Sequence, residues 1–150
     1  METTQLKLIE EINQLLKGTF MGIFIFNNLV EKLQSDELKK MYNEIIIIFK
    51  NHEIGLSRQV KKLKGIPVNS AGFKGTIVDM MEMAKNLLII NDMQVLEEGI
   101  KSIKAANNAI RIFDNNHFVI SEELQKDIII MKDDYASIYH KLHKCLITTK

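Results

Sequence analysis

Apolar residues recur at spacings of three and four along most of this chain, the pattern of helices that each turn one face toward a core. Leu8, Ile12, Leu15, Ile23, Phe26, Val30 and Leu33 trace the first stripe, with Thr19 in the middle of it. Thr3 or Thr4 is placed to cap that helix, which is expected to run to about Gln34. Ser35 followed by Asp36 and Glu37 opens a second helix, because a hydroxyl accepts from a free amide and acids suit the positive end of the dipole. It is expected to reach about Lys64. After a breaker-rich connection, a short helix is predicted from Thr76 to about Ile90 and a longer one from Met93 to about Phe113, with Asn91 and Asp92 between them as a break or a kink. Asn115, Asn116 and His117 make the next turn, and Ser121 with Glu122 and Glu123 starts a last helix to about Leu146.

One segment departs from this periodicity. Ile45, Ile46, Ile47, Ile48 and Phe49 are consecutive, and at about 100° per residue five such side chains go all the way round a helix. Burial on several sides is expected there. Residues 87–90 and 128–131 repeat the pattern on later helices. A four-helix bundle buries about one face of each helix, so these runs call for an accessory helix or a second subunit as cover. Self-association is the expectation, with the outward members of Ile45, Ile46, Ile47 and Ile48, or of Ile128, Ile129 and Ile130, at the contact of a homo-oligomer.

Composition supports an all-α chain. Pro67 is the sole proline, and it lies with three of the seven glycines in the connection over residues 65–75. With 150 residues, 46% of them hydrophobic, the chain has enough apolar material for one domain spanning residues 1–150. Short connections favour antiparallel neighbours, so up-down-up-down is the simplest packing, and the longer central connection is available for a crossover. Net charge is +1 with the signs interleaved, which excludes nucleic acid as a main partner. The basic run over residues 58–64 reads as the solvated end of the second helix. A single cysteine, Cys145, rules out an internal disulfide and fits a reducing compartment. No stretch approaches the length of a membrane span and no basic-then-apolar leader begins the chain, so no membrane insertion and a cytoplasmic location are expected.

Two segments carry a family resemblance. Leu16-Lys17-Gly18-Thr19-Phe20-Met21-Gly22-Ile23, and Gly65-Ile66-Pro67-Val68 with Ala71-Gly72-Phe73-Lys74-Gly75, resemble small bacterial ferritin-like proteins that carry a domain of unknown function and occur in stress-related and spore-forming contexts. The likeness spans nearly the whole chain in helix order and length. It implies a ferritin-like antiparallel four-helix bundle with a short accessory helix after the central connection. In that fold a metal pair draws inward-facing Glu from two helices and Glu-x-x-His from the other two.

Set against that pattern, ligands are missing on every helix. The first has no Asp, Glu or His between Glu11 and Glu31. On the second, His52 matches the family's histidine, but Phe49 stands three residues before it. On the longer third helix Ala105, Ala106, Asn107 and Asn108 fall where acids are expected, and Asp133 and Asp134 on the last helix are followed three later by Ala136 and Ser137. His52 therefore reads as a helix residue bonded to a carbonyl or facing solvent. The expected function is that of a non-enzymatic, self-associating structural or stress-related bundle with a degenerate di-iron site and no cofactor.

The alternative is a metal-binding or ferroxidase-like protein holding iron or zinc at a displaced site around His52, or at His140 and His143. The latter two share a helix face, with Glu10 or Glu11 as a possible third ligand if the first helix runs antiparallel beside them. Lys141 and Lys144 beside them suit an ordinary helix C-terminus as well. Gly72-Phe73-Lys74-Gly75 lacks the spacing of a phosphate loop, and Met80, Met81 and Met83 read as core filler. Gly18 and Gly22, four apart among Phe20, Phe24 and Phe26, read as a packing notch.

Overall fold

Five helices, α1 (Thr3–Val30), α2 (Asp36–Lys62), α3 (Lys74–Asn86), α4 (Asp92–Asn115) and α5 (Glu122–Thr149), make up the chain in a computed structural model that describes residues 3–86, 88–89 and 91–149. The side chains of residues 81, 84 and 85 lie outside that description. No strand occurs among the described residues. None of their helices is long and apolar enough to cross a membrane.

The starts of the helices follow local chemistry. Ser35 Oγ accepts from the Leu38 amide and Ser121 Oγ from the Leu124 amide. Asn91 and Gln94 exchange side-chain bonds with each other's amides in a reciprocal cap, so the break before α4 is a true helix start. The described α1 stops at Val30, short of the expected Gln34, because its last turn tightens: Lys32 N bonds to Leu29 O and Leu33 N to Val30 O. At the end of α2, Lys64 adopts φ 64°, and the Gly65 amide closes onto Val60 O at 3.0 Å.

α1, α2, α4 and α5 form the bundle, and contacts at its ends fix their directions. Asp92 at the start of α4 accepts from the Gln34 and Ser35 amides, which places the end of α1 and the starts of α2 and α4 together. At the other end Gln5 Nε2 donates to Leu63 O, and Lys62 pairs with Glu123 at the start of α5. So α2 and α4 run parallel, as do α1 and α5. The crossover, not the up-down-up-down path, is what the fold uses: residues 63–91 carry the chain back along the bundle, with α3 lying on α1. Asn13 holds the start of that connection, donating to Ile66 O and accepting from the Val68 amide.

The core runs the length of the bundle and corrects two expectations. Along α1 the buried stripe passes through Gly22 and Leu29, with Ile23 and Val30 half-buried at its flank. In α2, Ile45, Ile46 and Phe49 are buried and Ile48 is half-buried, but Ile47 points outward at 58% exposure. On α5, Ile128 is core while Ile129 and Ile130 are each 48% exposed. Ile45, Ile46 and Ile128 therefore belong to the bundle's own interior, and the outward-facing members are Ile47, Ile129 and Ile130. In the apolar run over residues 87–90, Leu87 and Ile90 lie outside the described residues; Leu88 is 80% exposed and Ile89 packs on the core.

Candidate functional site

Midway along the bundle, aromatic rings fill the axis. Phe49 stacks in tilted contact with Phe26 at 5.7 Å and with Tyr135 at 5.6 Å, and Phe26 meets Tyr42 edge-on at 5.1 Å. His52 closes the cluster, edge-on to Tyr135 at 5.1 Å. On α2, His52 follows Phe49 by three residues and Tyr42 precedes Phe49 by seven, so all three rings reach the axis from one helix face.

A chain of hydrogen bonds threads this cluster. His52, 5% exposed, has Nε2 at 2.6 Å from Asp134 Oδ2, so that nitrogen carries the proton and donates to the carboxylate. Burial holds the imidazole below its ordinary 6.5, against the opposing pull of Asp134, and leaves it neutral. Its free Nδ1 then accepts from the Tyr135 hydroxyl at 3.3 Å. Burial pushes the Tyr135 phenol well above its ordinary value, so it stays protonated and able to donate. Beyond Tyr135 lies the hydroxyl of Thr19, itself buried, which donates to Leu15 O at 2.9 Å. No buried side-chain nitrogen or oxygen among the described residues lacks a partner.

The expectation for His52 is corrected accordingly: it faces neither solvent nor a backbone carbonyl, but a carboxylate 82 residues away on α5. Asp134, without a histidine three residues on, finds one across the bundle instead. Tyr135, absent from the candidate site residues read in the sequence, completes the network. The signal lay in the seam itself: Gln59, seven after His52, donates to Asp127, seven before Asp134, at 3.0 Å. Two polar pairs at matching heptad spacing hold α2 and α5 in one register.

Elsewhere the candidates stay apart. His140 and His143 are exposed, and His143 stacks on Tyr139 at 5.8 Å. Glu10 and Glu11 cannot join them, because α1 runs parallel to α5 and its start lies at the opposite end of the bundle. Cys145 is half-buried. Asn107 and Asn108 face outward with Lys104 and Arg111, whereas Ala106 and Ile110 face the bundle interior. In the connection, the Gly72 amide is taken by Asn69 Oδ1 at 3.1 Å. Among the described residues, no three His, Cys, Asp or Glu side chains gather as a metal-binding group. A carboxylate-bridged metal pair needs ligands from all four helices, and the donors at this midpoint, one imidazole and one carboxylate already bonded together, do not fit one.

Comparison with known proteins agrees with the architecture. A ferritin-like, diiron-carboxylate protein from Bacillus anthracis str. Ames superposes with a TM-score of 0.71 at 18% identity, over 97% of this chain and 99% of that one. A two-domain protein from Anabaena variabilis ATCC 29413, containing DJ-1/ThiJ/PfpI-like and ferritin-like domains, superposes with a TM-score of 0.75 at 14% identity, over 97% of this chain. This chain spans 40% of the Anabaena protein. At such identities the likeness establishes the fold and nothing finer. No curated protein matches. The sequence profile of the family described as Domain of unknown function (DUF2383) matches residues 7–115, most of the chain, and this chain, folded as a ferritin-like bundle, belongs to that family.

Proposed function

We propose that this chain is a non-enzymatic, self-associating structural bundle that works without a functional di-iron centre. The observation that carries the reading is the His52–Asp134 pair at 2.6 Å: the donors that a metal would need are spent on each other. Around them α1 presents Thr19 and Gly22, α4 presents Ala106 and Ile110, and α5 presents Met131 and Tyr135. Breaking a buried pair to free a ligand leaves its partner unsatisfied, at a cost of about 1–3 kcal/mol before any metal bond forms.

Self-association is supported by the outward isoleucines. Ile47 and Ile54, seven apart on α2, are each 58% exposed, and Ile129 and Ile130 on the neighbouring α5 are each 48% exposed. These outward isoleucines offer apolar surface on two helices for contact between copies. In sedimentation velocity at micromolar concentration the wild type is expected to run as an oligomer, and Ile47→Lys combined with Ile129→Lys as a monomer with unchanged melting. A wild-type monomer refutes the assembly. Stoichiometric, tightly held iron or zinc in protein purified without a histidine tag refutes the metal-free reading.

A further inference from the structure

With no tryptophan in the chain, tyrosine is its most readily oxidised ring, and three tyrosines compete for that role. Loss of an electron turns a phenol into a strong acid, so the electron leaves easily only where a base stands ready for the proton. Tyr42 lacks such a base: its hydroxyl donates to Val95 O at 2.8 Å, and a peptide carbonyl does not take up a proton at neutral pH. The Tyr139 hydroxyl bonds no group among the described residues, and the Lys104 ammonium lies 5.9 Å from its ring centroid, where a positive charge opposes loss of an electron.

Tyr135 differs from both. Its hydroxyl donates to His52 Nδ1 at 3.3 Å, and the other nitrogen of that ring is already bonded to Asp134 Oδ2 at 2.6 Å. A proton arriving at Nδ1 makes an imidazolium that is paired as it forms, so no bare charge is left in the core. Asp127, the other carboxylate that acts on His52, favours the same charge. Register alone does not call for a base here, since Gln59 holds the next rung of the ladder with an amide. Tyr135 is 2% exposed, so an oxidant in solution does not touch its ring. Half-buried Tyr139 lies one turn further along α5, and side chains at that spacing sit about 5–6 Å apart at Cβ, which gives the electron a short way out.

We propose that Tyr135 is a redox site that gives one electron to a small oxidising radical of the peroxyl class while its hydroxyl proton passes to His52 Nδ1. The Tyr135 O–H bond breaks and an N–H bond forms on His52, leaving a neutral phenoxyl radical beside an imidazolium paired with Asp134. The peroxyl radical gains the electron and becomes a hydroperoxide anion, which takes a proton from water. One oxidising equivalent is held per chain, in a core that keeps other radicals away from the ring. The step needs neither a metal nor the assembly proposed above.

The test exposes the full chain to trichloromethylperoxyl radicals made by pulse radiolysis and follows the phenoxyl absorption band, with freeze-quenched samples read by electron paramagnetic resonance. A long-lived phenoxyl signal is expected in the wild type and in Tyr42→Phe combined with Tyr139→Phe, where Tyr135 is the sole tyrosine; its formation slows in heavy water because the proton moves with the electron. Tyr135→Phe is expected to lose that signal. In His52→Gln it falls at least about tenfold, because an amide takes a proton far less readily than imidazole and each pKa unit is a factor of ten. Circular dichroism melts verify that each variant folds, and the variant retaining only Tyr135 carries the test if Tyr135→Phe or His52→Gln does not. No long-lived signal in the wild type, none in the folded variant retaining only Tyr135, an undiminished signal in Tyr135→Phe, or equal yields in folded His52→Gln and wild type overturns the proposal.

Discussion

Gly18 and Gly22 lie one turn apart on α1, yet the same substitution is expected to move stability in opposite directions. An alanine in place of a mid-helix glycine stabilises by about 0.8–1 kcal/mol through backbone entropy and shielding. At Gly18 nothing opposes that gain, because the new methyl meets no atom within 4 Å. At Gly22 the methyl lies 2.6 Å from Phe49 Cε1 and 2.8 Å from Cζ, where a carbon contact relaxes only at ~3.5–4.0 Å. The ring cannot yield: Phe49 is fully buried and held between Phe26 and Tyr135. Overpacking of this kind costs about 1–3 kcal/mol. Set against the helix gain, Gly22→Ala is expected to lose about 1 kcal/mol net. For a chain of this size 1 kcal/mol is ~2–4 °C in Tm, so Gly18→Ala should melt above the wild type and Gly22→Ala below it by that amount each. Thermal melts followed by circular dichroism, checked by urea titration, read the difference. Gly22→Ala melting as high as Gly18→Ala would refute the packing argument.

Acid sensitivity should trace to His52. Burial holds its folded-state pKa below 6.5, so the unfolded chain takes up the proton first; the stability is fully present above about 6.5 and lost as pH falls from there toward the lower folded value. The slope is at most about 1.4 kcal/mol per pH unit, and His52→Gln should flatten it; parallel Tm profiles between pH 7.5 and 5 for the two proteins would sink this assignment. Glu123, held below its ordinary 4.5 by Lys62, titrates beneath that window and does not confuse it. Tyr42 and Gly99 should couple: Tyr42 donates to Val95 O at 2.8 Å with its hydroxyl directly over Gly99. Gly99→Ala is expected to destabilise the wild type by about 1–3 kcal/mol and distinctly less in a Tyr42→Phe background, where the hydroxyl is gone. Additive losses in the double-mutant cycle count against that contact.

What could be read from the chain beforehand was what local chemistry decides. Ser35, Asn91 and Ser121 announce three helix starts through side chains that bond amides three residues on. Pro67 and the glycines around it mark the long connection. The direction of that connection was not legible, because both an antiparallel hairpin and a crossover satisfy its length; Asp92 binding the Gln34 and Ser35 amides settles it. The facing of Ile45, Ile46, Ile47, Ile48 and Phe49 was equally hidden, since a uniform apolar run has no periodicity and only the neighbours of α2 determine that Ile47 turns outward. Spacing places Gly22 in a notch but not in the buried stripe, for the stripe is traced by side chains and glycine has none. His52 and Asp134 are 82 residues apart, and no local rule joins residues whose register is fixed by everything between them.

The two sides of the bundle thus do different work. Along the α2–α5 seam, His52 meets Asp134, Gln59 meets Asp127, and Arg58 and Lys62 meet Glu123. Sliding α5 by one turn would unpair both buried members of this ladder, His52 and Gln59, at about 1–3 kcal/mol each. Few other contacts hold α2 to α5, so the polar pairs set the register there. Along the α1–α4 seam no such ladder exists among the described residues; Gly18, Ser102, Ala105 and Ala109 leave space where the opposite side has specific bonds. Tyr135 belongs to both sides, bonded to His52 on one and walling that space on the other.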